Sequence, residues 1–216
     1  VTPTRPWEES SPSFADYDND GYLDAYTGKH SIYNSNHNGD YTQLDVAPFT
    51  TSRVAATAAV AWADYDNDNF MDMYVVNIGT FDSTGTVFLG FGTNYLYHNN
   101  GDGTFSEVTS NPSMIESFWS YGCAWADVDN DLDLDLLVED INSASGRRLY
   151  INNGGGSFTK VTTGDIATVY ESGQAGFSFA DYDNDGDLDL FSPVFGKNLL
   201  FDNNGDGTFT NNTSEI

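Results

Sequence analysis

Several things are scarce in this chain of 216 residues, and each scarcity excludes something. Cys123 is the single cysteine, so no disulfide can close within the chain. It sits in the apolar run Tyr121-Gly122-Cys123-Ala124-Trp125 and is read as a buried core residue rather than a reactive thiol. Lys and Arg number only 7 against 33 Asp and Glu, a formal charge of -26. With no basic patch to release counterions from phosphates, a nucleic-acid partner is excluded. No apolar run reaches the roughly eighteen residues that a membrane helix needs. Sustained helical periodicity is also missing; its one weak trace, Val54-Ala55-Ala56-Thr57-Ala58-Ala59, reads as linker or strand. Aromatic residues are not scarce, at 15%, and apolar residues make up 39%, which argues against disorder. The chain opens on Val1 and shows no signal peptide, as expected of a processed mature chain or an excised fragment.

What is abundant is aspartate in one pattern. Asp-x-Asp-x-Asp followed four residues later by another Asp is written four times. The copies are Asp16, Asp18, Asp20 and Asp24; Asp64, Asp66, Asp68 and Asp72; Asp127, Asp129, Asp131 and Asp135; and Asp181, Asp183, Asp185 and Asp189. Carboxylates this close repel one another unless a cation sits between them. Hard oxygens at alternate positions suit Ca²⁺ better than Mg²⁺, which keeps its waters and takes fewer protein ligands. Sixteen of the 33 acids lie in these segments, and four Ca²⁺ would offset eight of the 26 excess negative charges.

The segments mark an internal repeat of about fifty residues. Each unit has a short apolar run into the motif, then a strand overlapping its last Asp. A third run follows, then a turn containing Asn-Gly, then a fourth run. The units cover 13–46, 58–110, 121–163 and 175–214, with linkers at 1–12, 47–57, 111–120 and 164–174. The turns read Asn38-Gly39-Asp40, Asn100-Gly101-Asp102-Gly103, Asn153-Gly154-Gly155-Gly156 and Asn204-Gly205-Asp206-Gly207. Such dipeptides supply the positive φ of tight hairpins, so each unit is expected to be a four-stranded antiparallel meander. An EF-hand is excluded. Its twelfth loop position, a Glu, is here Thr27, Val75, Val138 and Ser192, and the flanks are strands rather than helices.

The run Ala180-Asp181-Tyr182-Asp183-Asn184-Asp185-Gly186-Asp187-Leu188-Asp189-Leu190, followed by Asn198-Leu199-Leu200-Phe201-Asp202-Asn203-Asn204-Gly205-Asp206-Gly207-Thr208-Phe209, resembles an FG-GAP/VCBS repeat. The whole chain is similar to repeats of ASPIC/UnbV-type secreted proteins, and its loops to those of the integrin α-subunit propeller. The resemblance implies an all-β β-propeller built from four four-stranded blades, with one Ca²⁺ in the first hairpin of each. It places side-chain ligands at the first, third, fifth and ninth loop positions, the sixteen aspartates above. It places a backbone carbonyl at the seventh, from Tyr22, Phe70, Asp133 and Asp187. The sixth position calls for a left-handed backbone. Gly21 and Gly186 meet that demand and Asn69 tolerates it. Leu132 does so poorly, which makes the third site the weakest. Four blades form a closed ring, part of a larger ring closed by a second chain, or a fragment.

The functional expectation is a secreted or cell-surface, calcium-stabilised, non-catalytic module for extracellular binding, adhesion or assembly. The alternative is a carbohydrate-active propeller, either a lectin or a polysaccharide lyase. Its partner is a protein or a carbohydrate. A catalytic set is not evident: His30, His37 and His98 fall in two different units and read as polar surface. The stretch 77–93 is a Gly-rich apolar insert carrying Phe81, Val87, Phe88, Leu89 and Phe91, read as a contact loop or an extra hairpin. Aromatics follow at Phe118, Trp119 and Tyr121, suited to stacking on sugars or filling between blades. The segment 1–11, from Val1 to Ser11, carries Pro3, Pro6 and Trp7 and is read as an extended arm for self-assembly or as a linker onto its own ring. Asn211-Asn212-Thr213-Ser214 holds two overlapping N-glycosylation sequons, at Asn211 and Asn212.

Overall fold

Short runs of aromatic and β-branched residues, punctuated by Asn-Gly turns, fold into antiparallel meanders. A computed structural model describes residues 12–27, 31–44, 48–49, 55–81, 87–111, 113–140, 146–169, 176–194 and 198–215. The first sheet holds β1 (Ser13–Ala15), β2 (Asp24–Thr27), β3 (Ser31–Ser35) and β4 (Tyr41–Gln43), paired in chain order. The second holds β5 (Ala55–Ala63), β6 (Asp72–Phe81), β7 (Phe88–Phe91), β8 (Tyr95–Asn99) and β9 (Phe105–Glu107). The third holds β10 (Ser120–Ala126), β11 (Asp135–Asp140), β12 (Arg147–Asn152) and β13 (Phe158–Lys160). The fourth holds β14 (Ser178–Ala180), β15 (Asp189–Ser192), β16 (Leu199–Asn203) and β17 (Phe209–Asn211). The protein is therefore all-β, and its four meanders are the blades of a β-propeller fold.

The chain divides into two compact units, Val1–Ser120 with the first two sheets and Tyr121–Ile216 with the last two. In the first unit, Tyr17, Tyr26, Ile32, Phe49, Met73, Val75, Tyr97 and Phe105 form one apolar cluster. Phe49 touches Tyr26, Tyr97 and Phe105 edge-on, with centroids 5.2–6.2 Å apart, a favoured aromatic geometry. In the second unit, Ala126, Val128, Leu137, Leu149, Leu190, Phe201 and Phe209 make the corresponding core. Second strands carry the heaviest burial, and every residue of β11 is buried. That includes Glu139 and Asp140, whose charge is answered from β12: Arg148 Nε donates to Asp140 at 2.8 Å, and Glu139 pairs in register with Arg147.

Details depart from the sequence reading. β5 starts at Ala55, so the stretch left open as linker or strand is strand, and the Ala-Thr run pairs along β6 through two register shifts. The insert adds a fifth strand: β7 pairs with the far half of β6, on the edge that β8 uses nearer the loop. The linker read at 164–174 contains a one-turn helix, α1 (Asp165–Thr168). Ile166 buries it, and Asp165 accepts the Asn211 N–H at 2.8 Å, pinning it to β17. The first blade's turn is also shifted. Asn36 N–H donates to Asp40 at 2.9 Å just as Asn100 donates to Thr104 and Asn204 to Thr208. Asn36 therefore matches Asn100, and His37, at φ 61°, occupies the left-handed position held elsewhere by Gly101 and Gly205. Residues 1–11, with Trp7, and His30 lie outside the described residues.

Candidate metal centres

Each aspartate segment joins the first two strands of its sheet, and each aspartate has its own task there. The first Asp organises the loop backbone. Asp16 accepts from the N–H of Asp20 at 3.0 Å and of Gly21 at 2.9 Å. Asp64, Asp127 and Asp181 repeat that pattern at 2.8–3.2 Å. The fifth caps the seventh: Asp20, Asp68, Asp131 and Asp185 each accept the N–H two residues on, at 2.9 Å. The ninth starts the second strand and is buried. Asp72 accepts from Tyr65 N–H at 3.2 Å and Asn99 N–H at 2.8 Å. Asp24, Asp135 and Asp189 likewise join the second loop residue to the end of the third strand. The third is left over: the buried Oδ1 atoms of Asp18, Asp66 and Asp129 have no hydrogen bond.

In all four loops the first, third and ninth Asp each bring an oxygen within 4.8 Å of the others. Three anionic oxygens so close, on partly desolvated groups, resist ionisation. Burial is the main cause in each case, pushing Asp24 up to about 6, Asp135 to about 7 and Asp72 to about 8. Asp66 and Asp129 are raised for the same reason. An oxygen-only pocket with an orphaned carboxylate oxygen fits a hard divalent cation such as Ca²⁺. Asp16, Asp18 and Asp24, and their counterparts in the other loops, would hold it.

The remaining sequence-derived ligands sit differently. Asp20, Asp131 and Asp185 lie outside the three-oxygen groups, while Asp68 forms a second group with Asp66 and His98. The side chains of seventh-position residues lie against the third-to-fourth strand turn. Tyr22 stacks on His37 at 4.1 Å, with the ring planes nearly parallel. A Cβ on Gly101 would come within 2.6 Å of the Phe70 ring, and one on Gly205 within 2.6 Å of the Asp187 carboxylate, so both turns require glycine. The sixth position is left-handed in every loop: Gly21 φ 87°, Asn69 73°, Leu132 75°, Gly186 101°. So is the fourth, at 58–64° for Asn19, Asn67, Asn130 and Asn184, a role the sequence reading missed. The signal was present, since Asn, the non-glycine residue best suited to that region, recurs at that position in all four loops.

Comparison with known proteins agrees with this arrangement. The model of the FG-GAP-like repeat matches residues 86–138 and 140–192. The chain carries FG-GAP-like repeats. Each match runs from the third strand of one blade to the second strand of the next, enclosing the loops Asp127–Asp135 and Asp181–Asp189. Cartilage acidic protein 1 of Xenopus tropicalis is 33% identical over 104 residues, 46% of this chain and 16% of that protein. A lectin of Agrocybe aegerita, solved for its specific recognition of non-reducing terminal N-acetylglucosamine, superposes with a TM-score of 0.58 at 20% identity. That match covers 94% of this chain and 51% of the lectin, and shows shared fold. The Tc holotoxin pore of Photorhabdus luminescens overlaps at a TM-score of 0.44 and 19% identity, over 97% of this chain and 9% of that one, too loose a likeness to inform function. This chain thus spans a small part of one relative and half of another.

The first two aspartate loops also recruit two residues that the sequence reading placed on the polar surface. His37 contacts the Asp20 carboxylate. His98 lies beside Asp66 and Asp72, at 3.2 and 3.3 Å. Cys123 is part-buried on β10, and burial pushes its thiol up to about 12, far from a reactive thiolate. The insert resolves into an aromatic platform: Phe88 stacks on Trp119 at 5.8 Å, and Phe91 leans on both. Val87, Phe88, Leu89 and Phe91 stay exposed. Both sequon residues are part-buried, and Asn212 Nδ2 donates to Asp202 at 2.7 Å. Among the described residues, no helix is long and apolar enough to cross a membrane.

Proposed function

We propose that this chain is a calcium-stabilised FG-GAP-like repeat domain of an extracellular protein, non-catalytic and acting in binding, adhesion or assembly. The observation that carries the reading is the four-fold recurrence of one oxygen cluster, with an orphaned third-position oxygen in three copies. Ca²⁺ held by such oxygens would close the hairpin between the first and second strands of a blade. It would act as a structural clamp, its ligands spent on the fold rather than left open for substrate. The extracellular placement is supported by the similarity to a protein named for cartilage and for its acidity. Chelation tests the reading. EGTA is expected to lower the melting temperature markedly and added Ca²⁺ to restore it; a curve indifferent to both would overturn it.

A carbohydrate ligand is the more specific form of the proposal. The exposed Phe88 and Phe91, rigidified by Trp119, offer flat apolar rings of the kind that stack on sugar faces. The shared fold with a lectin makes non-reducing terminal N-acetylglucosamine a sensible first probe. Glycan-array binding that disappears in a Phe88→Ala, Phe91→Ala double variant supports this form. A blank array leaves protein binding as the role.

A further inference from the structure

We infer that the second loop is a mixed oxygen–nitrogen metal site, in which His98 joins Asp66 and Asp68 to select a borderline transition ion of the Zn²⁺ class over Ca²⁺. The inference rests on the reading of the loops as cation sites. It begins with a difference among the four. The residue one before the end of the third strand overlooks the loop in each blade, and it is Asn34, His98, Ile151 and Asp202 in turn. In the first blade Asn34 Nδ2 donates to Asp18 Oδ2 at 2.7 Å, so an amide takes up one oxygen of that carboxylate and leaves Oδ1 unpartnered. In the fourth, Asp202 is turned to Tyr182, whose hydroxyl donates to it at 2.8 Å. Ile151 offers nothing polar. Only the second loop places an imidazole here.

His98 Nδ1 is buried and forms no hydrogen bond, although Asp66 Oδ2 stands 3.2 Å away and Asp72 Oδ1 3.3 Å away. Asp66 Oδ1 is buried and unpartnered as well. His98 Nε2 in turn stands 4.0 Å from Asp68 Oδ2, and Asp66, Asp68 and His98 each offer one ligand atom within 4.8 Å of the others. Neutral imidazole presents a lone pair at Nδ1 when its proton is on Nε2. Facing two carboxylate oxygens, that lone pair is repelled, and a cation between them reverses the sign. Imidazole suits zinc and its neighbours, whereas Ca²⁺ takes oxygen. The first loop also carries an imidazole, but His37 contacts the fifth Asp, Asp20, and stacks on Tyr22, outside any three-ligand group among the described residues, so the donor set at His98 separates the second loop from the other three.

Metal retention tests it on the intact chain. Chelator-stripped protein is loaded with Zn²⁺, dialysed against about a hundredfold excess of Ca²⁺, and both metals are counted by elemental analysis. One Zn²⁺ per chain is expected to remain. His98→Asn, which copies the first loop, is expected to weaken retention at least about 100-fold, beyond what losing an outer-shell partner costs. The ¹⁵N resonance of His98 Nδ1 in the unaltered chain is expected to shift with Zn²⁺ and not with Ca²⁺, a readout independent of the variant's folding. No retained Zn²⁺, or equal retention in His98→Asn, overturns the inference. The Ca²⁺ count judges the wider reading separately. Normal Ca²⁺ without Zn²⁺ defeats only the His98 site, and His98-dependent Zn²⁺ without Ca²⁺ defeats only the calcium loops.

Discussion

At the residue scale the loops are held by backbone conformations that their side chains resist. Leu132 sits at φ 75° with its side chain 81% exposed, so it suffers the left-handed penalty and gains no packing in return. That penalty is about 1–2 kcal/mol for an ordinary L-residue, partly offset by the unfolded-state freedom that glycine adds. Leu132→Gly is expected to stabilise the chain by about 0.5–1 kcal/mol in urea denaturation, and Asn69→Gly by less, since Asn tolerates the region. On the calcium reading the same strain is expected to weaken the third site, so Asp129→Ala should delete a looser Ca²⁺ event than Asp183→Ala in calorimetric titration. Loss of the tightest event instead would mean that Leu132 carries no strain that the ion feels. Protonation gives a second handle. Asp24, Asp135 and Asp72 hold their protons up to about 6, 7 and 8 in the folded metal-free chain, whereas an unfolded Asp releases its proton near 4. Over that window the folded state binds more protons than the unfolded one, so stability falls as pH rises. In chelator the melting temperature should drop from pH 5 toward pH 8, and saturating Ca²⁺ should flatten the drop by favouring the charged forms. A rise over the same window in chelator would show that burial does not govern these groups.

At the element scale a buried amide crosses from one blade to the next within each unit. Asn99 Nδ2 reaches across to Tyr17 O in the first blade at 2.7 Å and to Met71 O in its own at 3.2 Å, while its Oδ1 accepts the Gly101 N–H at 3.0 Å. Asn203 does the same in the second unit, to Val128 O at 2.8 Å and Leu188 O at 3.1 Å. Asn99→Ala strands two inward-facing carbonyls, each costing about 1–3 kcal/mol. A total loss of about 3 kcal/mol is expected, against under about 0.5 kcal/mol for Asn100→Ala, whose bond to Thr104 is exposed. Equal losses in the two variants would deny the clamp. These asparagines show where legibility stopped. Strand order and loop placement could be read, because alternation and Asn-Gly turns are local signals. The ninth-position aspartates could be read as strand starters for the same reason. That the amide of Asn99 spans 82 residues to find Tyr17 O is a tertiary fact with no local signature. His37 misled in the opposite direction. A histidine standing in for glycine moved the apparent turn by two residues, from Asn36 to the conspicuous Asn38-Gly39 beyond it. The imidazole of His98 was visible in the sequence, but its closeness to Asp66 depends on how β8 lies over the loop.

At the scale of the whole molecule the excess of 26 negative charges meets 16 loop carboxylates concentrated at four places. Two separate penalties follow when cations are removed. One is local, the desolvated oxygens within 4.8 Å of one another inside each loop. The other is global, the mutual repulsion of the whole acidic chain. Salt distinguishes them, because mobile ions screen exposed charges over about 10 Å at 0.1 M and about 3 Å at 1 M but barely enter a buried cluster. In chelator, raising NaCl from about 0.05 to about 0.5 M should recover part of the lost melting temperature, the part due to long-range repulsion. It should not recover all of it, since Asp72 and its neighbours remain unpaired. With Ca²⁺ bound, eight charges are offset where they are densest, and the same salt step should change the melting temperature little. Full recovery by NaCl alone would mean that general repulsion is the whole penalty and that the loops need no specific ion. An absence of any salt effect in chelator would place the entire penalty inside the loops, where only a coordinated cation can relieve it.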